Sequence, residues 1–268
     1  MVLFLLACRS EAVAPEVVVS EARADCSQDA WVPWEPGFDV RVFETTEKSR
    51  IGDSRVVVAR VDPRVWRLSL HPGSKRTGEQ WAADKGLVAV TNAGMFHKDH
   101  RTHVGSMRVE GVEVGRQAAE YQSVAEFGES STPPFRIRDL DGEFPAEDYP
   151  NQVQNLRLIK HVGENRWSKQ DKRWSEAALG EDEQGNALLI FSRSPWSMHD
   201  LNEELLAADL GLVAAQHLEG GPEATLFIEL GGCRFDGFGS YETGFVESDD
   251  NDKAWGLPNV LGVSRTGD

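Results

Sequence analysis

Cysteine is scarce in this 268-residue chain, which has three: Cys8, Cys26 and Cys233. They form no Cys-x-x-Cys pair, so the usual thiolate metal motif is excluded. Basic residues are also under-represented, with 28 Lys and Arg against 44 Asp and Glu, a net charge of -16. Such a surface repels phosphate backbones and anionic lipid, which argues against a general nucleic-acid binder. No Gly-x-Ser-x-Gly elbow, P-loop or dinucleotide fingerprint appears, so serine-hydrolase, kinase and dehydrogenase readings have no support. Residues 31–268 show no internal repeat, low-complexity linker or composition break. The chain does have an ordinary apolar share of 40%, enough to build the core of one domain.

The apolar start, Met1 to Ala7, is too short to span a bilayer and has no basic residues ahead of it. With the next residue it reads Leu-Leu-Ala-Cys, which resembles a bacterial lipobox with Cys8 as the lipidated position. Residues 1–7 are therefore read as a truncated lipoprotein signal and 8–30 as a flexible exported tether. Residues 31–268 are read as the domain. The expected location is the bacterial cell envelope, with membrane contact only through lipid on Cys8. Cys26 and Cys233 then remain, either as a disulfide or as two separate thiols.

Strand signals dominate the first half. Asp39 to Phe43 and Arg55 to Val61 are β-branched runs, and Trp66, Leu68 and Leu70 alternate with polar neighbours. Thr77-Gly78-Glu79-Gln80 has the form of a capping box opening a short helix that Gly86 ends. Leu87 to Thr91 is a continuous apolar run expected at the centre of a sheet. Met107 to Val114 is expected to form a hairpin around Glu110-Gly111, and Ala177 to Phe191 another around Gln184-Gly185-Asn186. The stretch from Gly128 to Asn151 reads as an irregular surface excursion. Ser197 is a candidate N-cap for a helix burying Met198, Leu201, Leu205 and Leu206. Leu257 to Val263 is expected to be the last strand. The expectation is an α+β single domain with a large mixed, mainly antiparallel sheet core and a few packed helices.

The most informative stretch runs from His217 to Ile228. There a Gly220-Gly221-Pro222 turn between two apolar strands places Glu219 and Glu223 around one bend. Two carboxylates suit glycosidic cleavage: one donates a proton to a leaving oxygen, and the other activates water or stabilises an oxocarbenium-like centre. A second run, Thr91-Asn92-Ala93-Gly94-Met95-Phe96-His97, follows the expected central strand, so its polar groups would open into a cleft.

These two runs resemble the motifs of the phosphodiester glycosidase family, in particular a bacterial branch. Ala177-Ala178-Leu179-Gly180, Phe191-Ser192-Arg193-Ser194-Pro195 and Leu257-Pro258-Asn259 follow in the same order. The resemblance covers about residues 37–265. It departs from the family's best-known form at Glu219, where aspartate is usual, and at Glu223 and Ala224, which replace paired serines. An arginine common near the last strand is also replaced around Trp255.

The resemblance implies an exported hydrolase that cleaves a sugar-1-phosphodiester or a related envelope glycan. Glu219, Glu223 and His97 would be catalytic, and Asn92, Gly94, Gly220, Gly221 and Asn259 would bind substrate. The implied partner is a carbohydrate or sugar phosphate, not nucleic acid. No metal ligand set is assigned, and a divalent metal is left open.

Two other readings stand beside this one. The first is a catalytically silent carbohydrate-binding lipoprotein on the same fold. The second is a zinc hydrolase using His97, His100 and His103, whose spacing would leave one coordination position open. His199 and His217 read as structural. Trp167, Trp174, Trp196 and Trp255 are candidates either for stacking on sugar rings or for core packing.

Overall fold

The alternating runs become strands close to where their patterning puts them. The computed structural model describes residues 26–141 and 149–267. The lipobox and most of the expected tether lie outside the described residues. Strands β1 (Val32–Glu35), β2 (Phe38–Glu44), β3 (Arg55–Val61) and β4 (Trp66–Arg76) open the domain. Helix α1 (Gly78–Lys85) leads into β5 (Ala89–Asn92), β6 (Ser106–Val109), β7 (Val112–Gly115) and β8 (Ser123–Phe127). There follow β9 (Phe135–Asp139), β10 (Asn151–Asn155), β11 (Arg157–Lys160) and β12 (Glu164–Asn165). The long β13 (Trp174–Asp182) and β14 (Ala187–Trp196) precede helix α2 (Met198–Ala207). The chain ends with β15 (Leu212–Gly220), β16 (Thr225–Leu230), β17 (Cys233–Phe238) and β18 (Leu257–Arg265).

These strands make three sheets. The largest has eight strands in the order β1-β2-β3-β14-β13-β15-β11-β12. Two five-stranded sheets run β7-β6-β10-β8-β9 and β17-β16-β5-β18-β4. Every strand pair among the described residues is antiparallel, so the expected mixed core is corrected to an antiparallel one. The α+β expectation also overstates the helix, since α1 and α2 are the two α-helices of the described residues. The architecture is mostly β.

The inward faces of all three sheets meet in one core that includes Phe38, Leu70, Phe127, Phe135, Leu179 and Leu226. Behind the eight-stranded sheet, α2 packs Met198, Leu201 and Leu205 onto Leu188 and Ile190. Its N-cap is Ser197, whose hydroxyl accepts from the Asp200 N–H. On the outer face of the five-stranded sheet, α1 lays Trp81 over Val90, Phe227 and Val260. The α1 capping box forms as read, with Thr77 and Gln80 bonding reciprocally and Gly86 closing the helix in the left-handed region. No helix of the described residues is long and apolar enough to cross a membrane.

Three sequence expectations change. The excursion from Gly128 to Asn151 is not wholly irregular, because Phe135 and Ile137 alternate into the core as β9. Cys26 and Cys233 are joined in a disulfide. Residues 26–30, expected in the tether, are fastened to the domain: Trp34 Nε1 donates to the Cys26 carbonyl and Arg41 pairs with Asp29.

Candidate active site

The Glu219 turn is where the chain changes sheets. Strand β15 lies between β13 and β11 in the eight-stranded sheet, whereas β16 pairs with β5 and β17 in a five-stranded one. A single 3-10 turn, Gly221–Glu223, makes the transfer. Gly221 has φ +67, a left-handed conformation that side-chain-bearing residues rarely adopt. A Cβ there would also sit 2.7 Å from Oε2 of Glu242. At Gly220 a Cβ would strike the Trp174 indole at 2.6 Å. Both glycines are therefore required by close packing around the bend.

Asn92, buried at the end of β5, staples the turn from below. Its Nδ2 donates to the Glu223 carbonyl at 2.9 Å, and its Oδ1 accepts from the Thr225 N–H at 2.8 Å. The Thr91 hydroxyl adds a bond to the Thr225 carbonyl at 2.8 Å. These contacts bring the two sequence motifs together by direct hydrogen bonds. They also show what the Asn92 amide does: it satisfies the backbone of the carboxylate turn, as buried polar groups must be satisfied.

The carboxylates sit in an unusual field. The Glu219 carboxyl is pushed up to about 8, first by burial and then by the neighbouring Glu223, against the opposing pull of His217. Its Oε1 accepts from the Gly220 N–H at 3.1 Å. Burial also raises Glu223, and the nearby Glu242 adds to that shift while Lys75 opposes it. Tyr121 is pushed up to about 12 by its burial and then by the charge of Glu219.

Behind Glu219 lies a pair not assigned a chemical role from the sequence. His217 Nδ1 donates to Glu176 Oε1 at 2.6 Å, and Trp174 Nε1 donates to the other Glu176 oxygen at 2.7 Å. Both His217 and Glu176 are buried. Burial opposes the His217 charge, but Glu176, Glu219 and Glu242 outweigh it and raise its pKa. Burial raises Glu176 as well. The pair thus keeps a proton beneath the carboxylates.

The histidine loop behaves differently. His97 and His100 are exposed, while His103 is 1% exposed and donates from Nε2 to the Gln154 carbonyl at 2.9 Å. Burial pushes His103 down to about 4, so it is neutral in the physiological range. No group of three or more His, Cys, Asp or Glu side chains among the described residues could hold a metal ion. The three-histidine zinc reading is therefore overturned: the spacing is right in sequence, but one ring is turned into the core and two face solvent. His97 stands on this exposed loop, its backbone N–H bonded to the Thr102 carbonyl.

Asn259, buried in β18, donates from Nδ2 to the Arg101 carbonyl at 3.0 Å, and its own carbonyl accepts from the Ala93 N–H at 3.1 Å. It thus ties the histidine loop to the strand end carrying Asn92. Gly94 is required by packing, because a Cβ would overlap Asn155 Oδ1 and the His103 ring.

Glu176, His217 and Glu242 are neighbours of the turn that sequence reasoning left out of the site, whereas Trp174, a candidate for sugar stacking or packing, covers Gly220. The alternation of His217 with Glu219 along one strand was a usable signal. Glu242 had none, since it lies in a polar stretch with no strand periodicity.

Antiparallel sheets that converge on a half-buried turn whose carboxyls are pushed above their usual range make a scaffold suited to acid–base hydrolysis. The phosphodiester glycosidase family matches residues 85–264, and the chain belongs to that family. Its fold is similar to the catalytic domain of zebrafish N-acetylglucosamine-1-phosphodiester alpha-N-acetylglucosaminidase, auto-inhibited by its pro-peptide. That match has a TM-score of 0.62 and 15% identity, and it covers 86% of this chain and 84% of the other. A hypothetical protein from Synechocystis is also similar, with a TM-score of 0.56 and 15% identity over 87% of this chain and 63% of that one. No curated protein matches the chain.

Proposed function

We propose that this chain is an exported hydrolase that cleaves a sugar-1-phosphodiester or a related envelope glycan at the Glu219 turn. The observation that carries the reading is a carboxyl raised to about 8 on a turn clamped by Asn92. A carboxyl that stays protonated at neutral pH can hand its proton to a leaving oxygen. A phosphate ester already leaves readily, so the acid needs to contribute less than it would for an alcohol. Glu223 is the partner carboxylate in this reading, and Gly220 and Gly221 serve the site by letting Trp174 and Glu242 pack against the bend. His97, Asn92, Gly94 and Asn259 are assigned to the same cleft, with Asn92 and Asn259 acting through the backbone they hold.

The aromatic pair Phe245 and Trp255, with ring centroids 6.3 Å apart, offers a sugar ring an apolar face, since Phe245 is 60% exposed. The zebrafish enzyme's name supplies the first probe, an N-acetylglucosamine-1-phosphodiester, to be tried alongside other sugar-1-phosphodiesters. Release of free sugar by the wild type and its loss in Glu219→Gln supports the reading. Binding without turnover in the wild type sinks it in favour of a carbohydrate-binding role.

Export is part of the same proposal. A disulfide between Cys26 and Cys233 suits an oxidising compartment, and lipid on Cys8 would anchor the chain in the envelope. Mass spectrometry of the mature N-terminus from the producing cell tests the anchor. An unmodified Cys8 retained behind Met1 removes it.

A further inference from the structure

Between β17 and β18 the chain runs back across the Glu219 turn, and Glu242 lies on this crossing segment. Its path is fixed by bonds to β13 and to the turn. Ser175 Oγ accepts from the Ser240 and Tyr241 N–H groups at 2.9 and 3.2 Å, and the Ser175 N–H donates to the Tyr241 carbonyl at 2.9 Å. The Gly239 N–H donates to the Ala224 carbonyl at 2.8 Å, and the Thr243 N–H to the Arg173 carbonyl at 2.9 Å. Glu242 itself forms a bridge with Trp174, the residue that covers Gly220.

Its Oε2 lies 2.7 Å from where a Cβ on Gly221 would sit, which places the carboxylate against the turn between Glu219 and Glu223. Among the described residues no side chain or backbone group donates a hydrogen bond to it, so its oxygens are open to a water or a sugar hydroxyl.

We propose that Glu242, in place of Glu223, is the second carboxylate of the hydrolytic site, the base that works opposite the Glu219 acid. This rests on the hydrolase reading above. In the step it takes, the oxygen of a water forms a bond to the anomeric carbon while a water proton passes to the Glu242 carboxylate. The bond from that carbon to the phosphate oxygen breaks, its electron pair leaves with the phosphate monoester, and Glu219 supplies the proton the leaving oxygen takes up.

Burial raises the Glu242 carboxyl above the usual range, and the charges of His217, held by Glu176, and of Lys172 oppose that rise. Burial raises Glu223 as well, with Glu242 adding to the rise and Lys75 opposing it. Position assigns the roles: the acid stands on the turn, and the base comes from the crossing segment packed against Gly221.

The test is turnover of a sugar-1-phosphodiester panel by Glu242→Gln, Glu242→Ala and, as a control on the same segment, the exposed Glu247→Gln. Glu242→Gln is expected to lose about 10²–10⁴-fold in kcat/KM while Glu247→Gln matches the wild type. Added formate or azide is expected to restore part of the Glu242→Ala rate, with azide leaving as the glycosyl azide. A purely structural role for Glu242 would give no such rescue. The NMR titration of His217 is expected to move to lower pH in Glu242→Gln, which checks the placement with no substrate present. An active wild type with an equally active Glu242→Gln overturns this assignment alone. An inert wild type overturns the hydrolase reading and the assignment with it.

Discussion

The Glu219 turn and the His97–His103 loop look equally chemical in the sequence, yet they end in opposite conditions. The turn joins two different sheets, so packing holds it from both sides and its carboxylates are half-buried against their neighbours. The loop leaves the centre of one sheet and returns through solvent, held by the Asn259 bond to Arg101 and by the His103 ring. Spacing alone does not create a site. What decides is whether the backbone on both sides of a motif is anchored in packed structure.

The largest effect expected from breaking the turn is that of Glu219→Gln, about 10²–10⁴-fold in turnover at unchanged fold. If Glu219 is the acid, wild-type activity also declines as pH rises through about 8, and this limb vanishes in the variant. The stability sign agrees. A carboxyl raised from 4.5 to about 8 binds its proton more tightly folded than unfolded, so the protein loses stability as pH climbs through that window. Thermal unfolding of Glu219→Gln followed from pH 5 to 9 should show a flatter dependence than the wild type, and equal slopes would refute the shift.

Asn92→Ala comes next. It strands the Glu223 carbonyl and the Thr225 N–H, at a cost of about 1–3 kcal/mol in denaturant unfolding, with turnover falling as the turn loosens. Gly221→Ala should lose about 1–2 kcal/mol from its left-handed backbone alone and also displace Glu242. An unchanged midpoint would mean the bend is softer than its packing implies.

On the loop the expected effects are smaller and of another kind. His103→Ala removes a buried hydrogen-bonded ring, at about 2 kcal/mol of stability. His97→Ala and His100→Ala should each stay within about 0.5 kcal/mol in stability. Neither should alter zinc content measured by elemental analysis. Loss of bound zinc in both would restore the three-histidine centre.

Much of this fold was legible because it rests on local rules. The capping box at Thr77, the N-cap at Ser197 and the apolar run from Leu87 to Thr91 each became the expected kind of element. β9 was hidden because Pro133, Pro134 and the acidic residues nearby mask two core positions, Phe135 and Ile137. The two motifs of the site could be found separately, but their hydrogen bonds could not, since Asn92 reaches to the neighbouring strand and the turn before it, more than a hundred positions away. Glu242 was out of reach for the same reason. It occupies a gap whose existence depends on Gly221, and nothing in its own surroundings in sequence marks it.

The Cys26–Cys233 bond has a mechanical consequence. It closes a covalent ring around everything between those positions, which includes the Glu219 turn and Asn92. A load pulling on the chain ahead of Cys26 is handed straight to the start of β17, on the edge of the five-stranded sheet. Strands β1 to β16 lie within the ring and are bypassed, so the Glu219 turn is shielded from tension on the leading segment.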